Sequence, residues 1–467
     1  MKEKAVTLLN ESKTARWIAL ALISTTMFFA YFFVDVVAPL QSMLETDYKW
    51  TPEVFGMLGG SEFFLNVFAF FLIFSGVILD KMGIRFTLIT AGLTMVIGAA
   101  LKYYALTPGF TDTGLAAWLG SFITWVPASA KLAFVGFAIF GIGVEMAGIT
   151  VSKTIVKWFK GKEMALAMGL EMAVARLGVF AVFRLTPIFA ENGGPSNSVL
   201  WGLAFLCIGF LLFLTYTFMD AKLDKQMGVS KLTTNPEDEF KLSDLKKIFT
   251  NPGFLAIAAL CVLFYSAIFP FQKFATDMLA SKLNVDIKTA AAYFSYFPIG
   301  AMVLTPFIGY FLDVRGKGAT MMIYGAVLLT VSHLIFALVP AESFGVVTAI
   351  LTIVILGTAF SLVPASMWPS LPKIVEDRYL GSAYGAIFWI QNIGLLAVPI
   401  LIGWALSASN PGVSEQIAAG VEGVKYNYTV PELIFAGFGV LAFILGFVLK
   451  FVDKKNGYGL ELPNKKK

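Results

Sequence analysis

The sequence predicts an all-α membrane protein: twelve transmembrane helices in two pseudo-symmetric six-helix bundles. Three observations predict it. Of 467 residues, 58% are hydrophobic and only 14% charged, where a soluble chain carries about a quarter charged residues. Apolar runs long enough to cross a hydrocarbon core of about 30 Å recur from end to end. A Gly-x-x-x-Asp turn stands at the same place in each half, after the second and the eighth run.

The runs place spans 1 to 6 at residues 17–40, 52–79, 84–105, 131–159, 163–191 and 198–219. Spans 7 to 12 fall at 253–280, 289–312, 319–339, 344–370, 380–407 and 431–452. The first run is long enough to span and lacks a small-residue cleavage site, so it reads as an anchor and not a removed signal. An even count puts both termini on one side, and loop bases say which. Lys81, Arg85, Lys157, Lys160, Lys162, Arg315, Lys317, Lys373 and Arg378 share the loops of one side with the basic tails, Lys2, Lys4, Lys13, Arg16 and Lys465–Lys467. That side is expected to be cytoplasmic. The net charge of +5 therefore reflects topology and gives no reason to expect nucleic acid as a partner.

Residues 1–219 form the expected first bundle, 220–252 a linker and 253–467 the second bundle with its tail. In the linker LTTNPEDEF reads as flexible and KLSDLKKIF as a short amphipathic helix on the cytoplasmic surface. The outer loop at 107–130 has room for a short surface helix. Asn427-Tyr428-Thr429 is a glycosylation acceptor only in a eukaryotic secretory setting. Two cysteines, both in apolar runs, and one histidine argue against disulfides and metal centres. No cofactor is expected.

The chain is organised around residues 137–180. Glu145 lies 14 residues before Phe159 (159 − 145), and Arg176 lies 13 after Glu163 (176 − 163). The two charges therefore sit at one depth, near the middle of adjacent spans. Each costs several kcal/mol in an apolar layer unless paired or wetted. They are either a structural pair or part of a functional cavity. Asp35, Glu62 and Arg184 fall in the outer third of spans 1, 2 and 5, as an outer gate, a proton site or headgroup-level charges. Lys153 is eight residues beyond Glu145 toward the cytoplasm, an inner-cavity or snorkelling lysine. Lys102 and Lys273, near span ends, are expected to snorkel, and His333 to be a hydrogen-bonded core residue.

The repeated turn reads Gly76-Val-Ile-Leu-Asp80-Lys81-Met-Gly83-Ile-Arg85 in the first half and Gly309-Tyr-Phe-Leu-Asp313-Val-Arg315-Gly316 in the second. The glycines are expected to let neighbouring helices approach closely, and the acids and bases to make inner-rim ion pairs that switch between states. With twelve spans and two halves, these turns resemble those of the major facilitator superfamily, which implies two repeat-built bundles rocking around a central site. The run Gly141-Ile-Gly143-Val-Glu145, with WFKGKE at 158–163 and GLEMAVARLG at 169–178, resembles that family's lysosomal dipeptide transporter branch, the major facilitator domain-containing protein one type. FYSAIFPF (264–271), SHL (332–334), MWP (367–369), LGSAYG (380–385) and IQNIGL (390–395) agree with it. The resemblance implies that Glu145 and Arg176 engage a dipeptide and singles out Tyr265, Trp368 and Gln391 in the second half. Prolines 298, 306, 364 and 369 are expected to kink spans 8 and 10.

A dipeptide carrier accounts for an acid and a base at one depth, one for each end of a zwitterion, with the planar arginine suited to the carboxylate. The alternative is a proton-coupled organic-anion or sugar-acid carrier using Arg176 and Arg184. A membrane enzyme or scaffold finds no nucleophile with its base, no P-loop and no sizeable soluble domain in the sequence. The expected partners are a small-molecule substrate, a dipeptide by resemblance, protons where transport is coupled, and membrane lipid, with the monomer as the unit. Short tails, and Lys4 where an acidic dileucine signal would need an acid, point to a prokaryotic plasma membrane and away from the lysosome.

Overall fold

The computed structural model describes residues 8–227, 242–421 and 423–463, and over these it is helical with no strand. Lys2, Lys4, Lys465–Lys467 and the LTTNPEDEF segment lie outside the described residues. Among the described residues, eleven helices are long and apolar enough to cross a membrane. Span 2 is the twelfth, and it is broken. It runs as Pro52–Ser61, Phe64–Phe68 and the start of Phe71–Ala105, with Phe70 in the left-handed region at φ 52°. Span 3 continues from that last helix past Gly83, whose φ of 81° marks the turn and favours glycine. The uninterrupted run expected at 52–79 is thus corrected: apolar length alone does not reveal a break in the backbone, which a membrane protein tolerates where protein or a water-filled cavity satisfies the freed groups.

The other spans of the first half are Lys13–Val34, Ala128–Phe159, Met164–Ala190 and Gly194–Met227. Span 6 passes the expected end at 219, so Asp220 belongs to a helix and not to the linker. The second half has Pro252–Leu283, the pair Ile287–Phe294 and Tyr296–Arg315, then Gly318–Leu338, Val346–Met367, Leu380–Ser409 and Thr429–Asn456. Pro298 and Pro306 lie in broken span 8, Pro364 near the end of span 10, and Pro369 in the 3-10 turn that follows it. The outer loop holds two short helices, Pro108–Thr111 and Gly114–Gly120.

Capping fixes several helix starts. Asn251 Oδ1 accepts from the Gly253 and Phe254 amides at 2.9 and 3.2 Å, beginning span 7. Asp286 takes the Thr289 amide at 2.9 Å and hydroxyl at 2.7 Å, bonds that hold its carboxyl below the usual range. In the linker, Leu242–Phe249 forms the amphipathic helix. It docks on the second half through buried Ile248 and a 2.9 Å bond from Lys247 Nζ to the Tyr379 hydroxyl.

The two halves are drawn together at the outer end. There span 2 meets span 11 backbone to backbone: a Cβ at Gly56 would overlap the Pro399 carbonyl oxygen. Lys288–Glu191 at 2.7 Å and the Tyr426 hydroxyl on Glu45 at 2.6 Å also cross between the halves. Toward the middle, Trp389 Nε1 donates to the Val67 carbonyl at 3.1 Å. The inner pairs Asp80–Lys153, Lys157–Asp220 and Lys317–Glu461 each stay within one half. Among the described residues, the contacts named here that cross between the halves thus lie at the end opposite the basic loops and toward the middle.

Candidate functional site

Backbone contact sets the depth of Glu145. A Cβ at Gly141, one turn earlier, would overlap the Glu62 carbonyl oxygen, so spans 4 and 2 touch at that level. Glu145 and Arg176 are both half-buried. Among the described residues no ion pair within 4.0 Å joins them. They are therefore not the structural pair that was one expectation. Arg176 instead lays its guanidinium over the Phe360 ring of span 10, 4.3 Å from Cζ to the ring centre. Its electrostatic neighbours are the Tyr31 and Tyr265 hydroxyls. Tyr31 in turn lies within electrostatic reach of Glu171, Glu145, Arg176 and Glu62.

Tyr31 and Glu171 are additions to the residues singled out by sequence. Glu171 carried a usable signal, a carboxylate inside an apolar span five residues before Arg176. Tyr31 carried none, being one of many aromatics in a Phe-rich helix. On the facing half, Trp368 Nε1 donates to the Tyr265 hydroxyl at 3.1 Å. Tyr265 stacks on Phe269 at 5.5 Å, and Trp368 on Phe388 at 4.9 Å. Gln391 is buried like Tyr265, with its Oε1 taking the Cys261 thiol at 3.6 Å. The chemistry on offer at the centre is two carboxylates and one guanidinium against an aromatic wall with tyrosine hydroxyls.

Asp35 and Glu62 form a buried cluster outward of that centre, and its cation is Lys273. Lys273 Nζ is 2.8 Å from Asp35 Oδ1, 3.8 Å from Glu62 Oε2 and 2.9 Å from the Val34 carbonyl. Gln272 Nε2 donates to the other Asp35 oxygen. Asp35 is 1% and Lys273 9% exposed. The pair joins span 1 to span 7, hence the first half to the second. Lys102, 0% exposed, sits over the Phe137 ring at 3.8 Å with the same acids as electrostatic neighbours. Two expectations are corrected. Lys273 and Lys102 do not snorkel, because turning inward gives each an acid or an aromatic face that position near a span end does not disclose. Arg184 is not a member of this cluster: its Nε donates to Ser295 Oγ at 2.9 Å, and its guanidinium faces the Phe180 and Tyr296 rings.

The inner rim has its own network. Asp80 pairs with Lys153 at 2.6 Å, which gives the lysine an acid partner in place of the snorkelling that was one expectation for it. Arg85 reaches Asp224 at 3.4 Å, and Lys157 reaches Asp220 at 2.7 Å and Asp224 at 2.6 Å. Asp220 also accepts from the Tyr216 hydroxyl at 2.9 Å and Trp158 Nε1 at 3.3 Å. Its role was missed because its position beside the polar linker disguised it. Asp313 and exposed Arg315 close span 8. The close approach expected at Gly76 and Gly309 is absent: a Cβ at either would meet nothing within 4 Å. His333 is buried with Nδ1 2.7 Å from Glu432 Oε2, a core pair as expected, although the glutamate was not anticipated.

The Major Facilitator Superfamily profile matches residues 23–399 and 274–463. The chain is 28% identical over 405 residues to the lysosomal dipeptide transporter MFSD1 of Mus musculus, covering 84% of this chain and 80% of that protein. It is 27% identical to the Homo sapiens MFSD1 over the same shares. Among solved structures, a mutant of the nucleoside transporter NupG superimposes with a TM-score of 0.72 at 15% identity, covering 93% of this chain and 99% of that one. The chain therefore belongs to the major facilitator superfamily, and it is a membrane transporter, not an enzyme.

Proposed function

We propose that this transporter carries dipeptides by alternating access, with Glu145 receiving the N-terminal amine and Arg176 the C-terminal carboxylate. One observation carries the reading: a carboxylate and a guanidinium stand at one depth without being paired to each other. Charges held half-buried inside a membrane span without a partner are costly, and a zwitterion offers one counter-charge to each. The likeness to proteins named lysosomal dipeptide transporters supports the same class. Tyr265 and Trp368, on the facing half, supply an aromatic wall for side chains, and Gln391 backs that wall.

In this reading Asp35, Glu62 and Lys273 are the outer gate. When the outer side opens, Lys273 departs with the second half and frees two carboxylates as candidate proton sites. Arg184 latches the same side through Ser295. The Asp80–Lys153 pair and the Arg85 network hold the inner end of the first half as one body, and Asp313 and Arg315 stand at the matching place in the second. Both termini lie on the cytoplasmic side, and the unit is a monomer in lipid. A prokaryotic plasma membrane, expected from the short tails, gains no support from relatives that are named lysosomal.

A thermal-shift screen of the purified protein against dipeptides, amino acids and organic anions tests the substrate class. Ligand at about 100 times its Kd adds roughly 2.7 kcal/mol to the folded state, so dipeptides are expected to raise the melting temperature by several degrees. Free amino acids and organic anions are expected to leave it unchanged. Stabilisation by organic anions alone would promote the anion-carrier reading.

A further inference from the structure

We infer that Phe360 is a positioning residue for substrate binding: it holds the Arg176 guanidinium across the boundary between the halves, with its hydrogen-bonding edge left open for a carboxylate. The inference rests on the proposed role of Arg176 and adds a residue of the opposite half to it. Arg176 belongs to span 5 and Phe360 to span 10, with Cζ 4.3 Å from the ring centre. The ring cannot easily turn away. Phe360 is 2% exposed and is boxed by Phe269 edge-on at 5.6 Å, Phe297 at 5.6 Å and Tyr265 at 6.4 Å.

A guanidinium has two separate uses. Its faces stack on aromatic rings, and its N–H donors, all in the plane, bind carboxylate oxygens. Stacking on Phe360 therefore does not compete with a carboxylate. It fixes the plane in which the carboxylate must lie. A long flexible side chain held this way loses less freedom when ligand arrives. Because the ring is on the other half, a ligand gripped by Arg176 is linked through that side chain to both bodies that move in transport. Tyr265 extends this contact, since it packs on Phe360 and is an electrostatic neighbour of Arg176.

The test is uptake of Leu-Ala and of its C-terminal amide into proteoliposomes by the parent, Phe360→Leu and Phe360→Tyr. Leucine keeps apolar bulk without a ring face, and tyrosine keeps the face. The leucine variant is expected to raise KM for Leu-Ala about 2- to 30-fold, the range of a cation–π contact, with Vmax little changed. The tyrosine variant is expected to stay close to the parent. The amide, which has no carboxylate to orient, is expected to lose little in either variant. Equal losses for free and amidated peptide, or a tyrosine variant as impaired as leucine, overturn the inference and leave a packing role.

If the parent takes up no Leu-Ala, the dipeptide reading fails, and a ligand-free double-mutant cycle decides the Phe360 question separately. Melting temperatures of Arg176→Gln, Phe360→Leu and the double variant are expected to be non-additive, as for residues in direct contact. Additive effects overturn the inference.

Discussion

Glu145→Gln is expected to cut the affinity for free dipeptides tens- to thousands-fold while changing that for N-acetylated dipeptides far less. Arg176→Gln is expected to do the same for the free carboxylate and to spare C-amidated peptides. Removing one charge leaves its ligand partner desolvated and unpaired, which at buried interfaces costs roughly 2–5 kcal/mol. Every 1.4 kcal/mol is tenfold in affinity. The absence of an ion pair between the two residues sharpens the expectation. A structural pair would lose stability when either member was neutralised. Glu145→Gln is expected to keep a near-parental melting temperature without ligand, and Arg176→Gln to lose no more than its contact with Phe360 accounts for. Binding isotherms for the four peptide forms check it, and equal loss for capped and uncapped forms counts against the assignment.

The second large effect is expected at the outer gate. Lys273 is 2.8 Å from Asp35, both side chains are buried, and the pair joins the two halves. Lys273→Gln leaves Asp35 and Glu62 buried without their cation, a loss of about 3–5 kcal/mol when one partner of a buried pair is removed. That loss falls only on the state in which the outer side is shut. The population should therefore move toward outward-open by at least a hundredfold. Ser61, which is 8% exposed beside Glu62, gives a reporter position. With exposed Cys207 replaced, a cysteine at Ser61 should react much faster with an outer-side alkylating reagent in the Lys273→Gln background. Adding Asp35→Asn removes most of the stranded charge and should slow the reaction again. An unchanged rate would show that the clamp does not hold the gate.

The fold was legible because hydrophobic length and loop charge are one-dimensional properties, and a sequence carries them openly. Twelve spans, two halves and the central depth of Glu145 and Arg176 follow from counting residues along helices. Other features depend on azimuth, on which way a side chain points around its helix. Lys273 and Lys102 sit near span ends, where a cation facing lipid would snorkel; only packing shows that they face Asp35, Glu62 and Phe137. Arg184 shares the depth of Asp35 but not its direction, and it ends on Ser295. The glycines of the repeated turns depend on something further, what stands beside the helix, and here a Cβ at either would meet nothing within 4 Å. Phe360 carried no signal in a chain with 45 phenylalanines. Its place over Arg176 exists only once the two halves are set against each other.

The most direct test of the central assignment is a structure of the purified protein saturated with a dipeptide. The account predicts the peptide between the two halves at the level of Glu145. Its ammonium should lie about 2.7–3.2 Å from a Glu145 oxygen and its carboxylate at the same range from Arg176, with the guanidinium still stacked on Phe360. A dipeptide bound elsewhere, or bound centrally with its two ends reversed or touching neither residue, would contradict it.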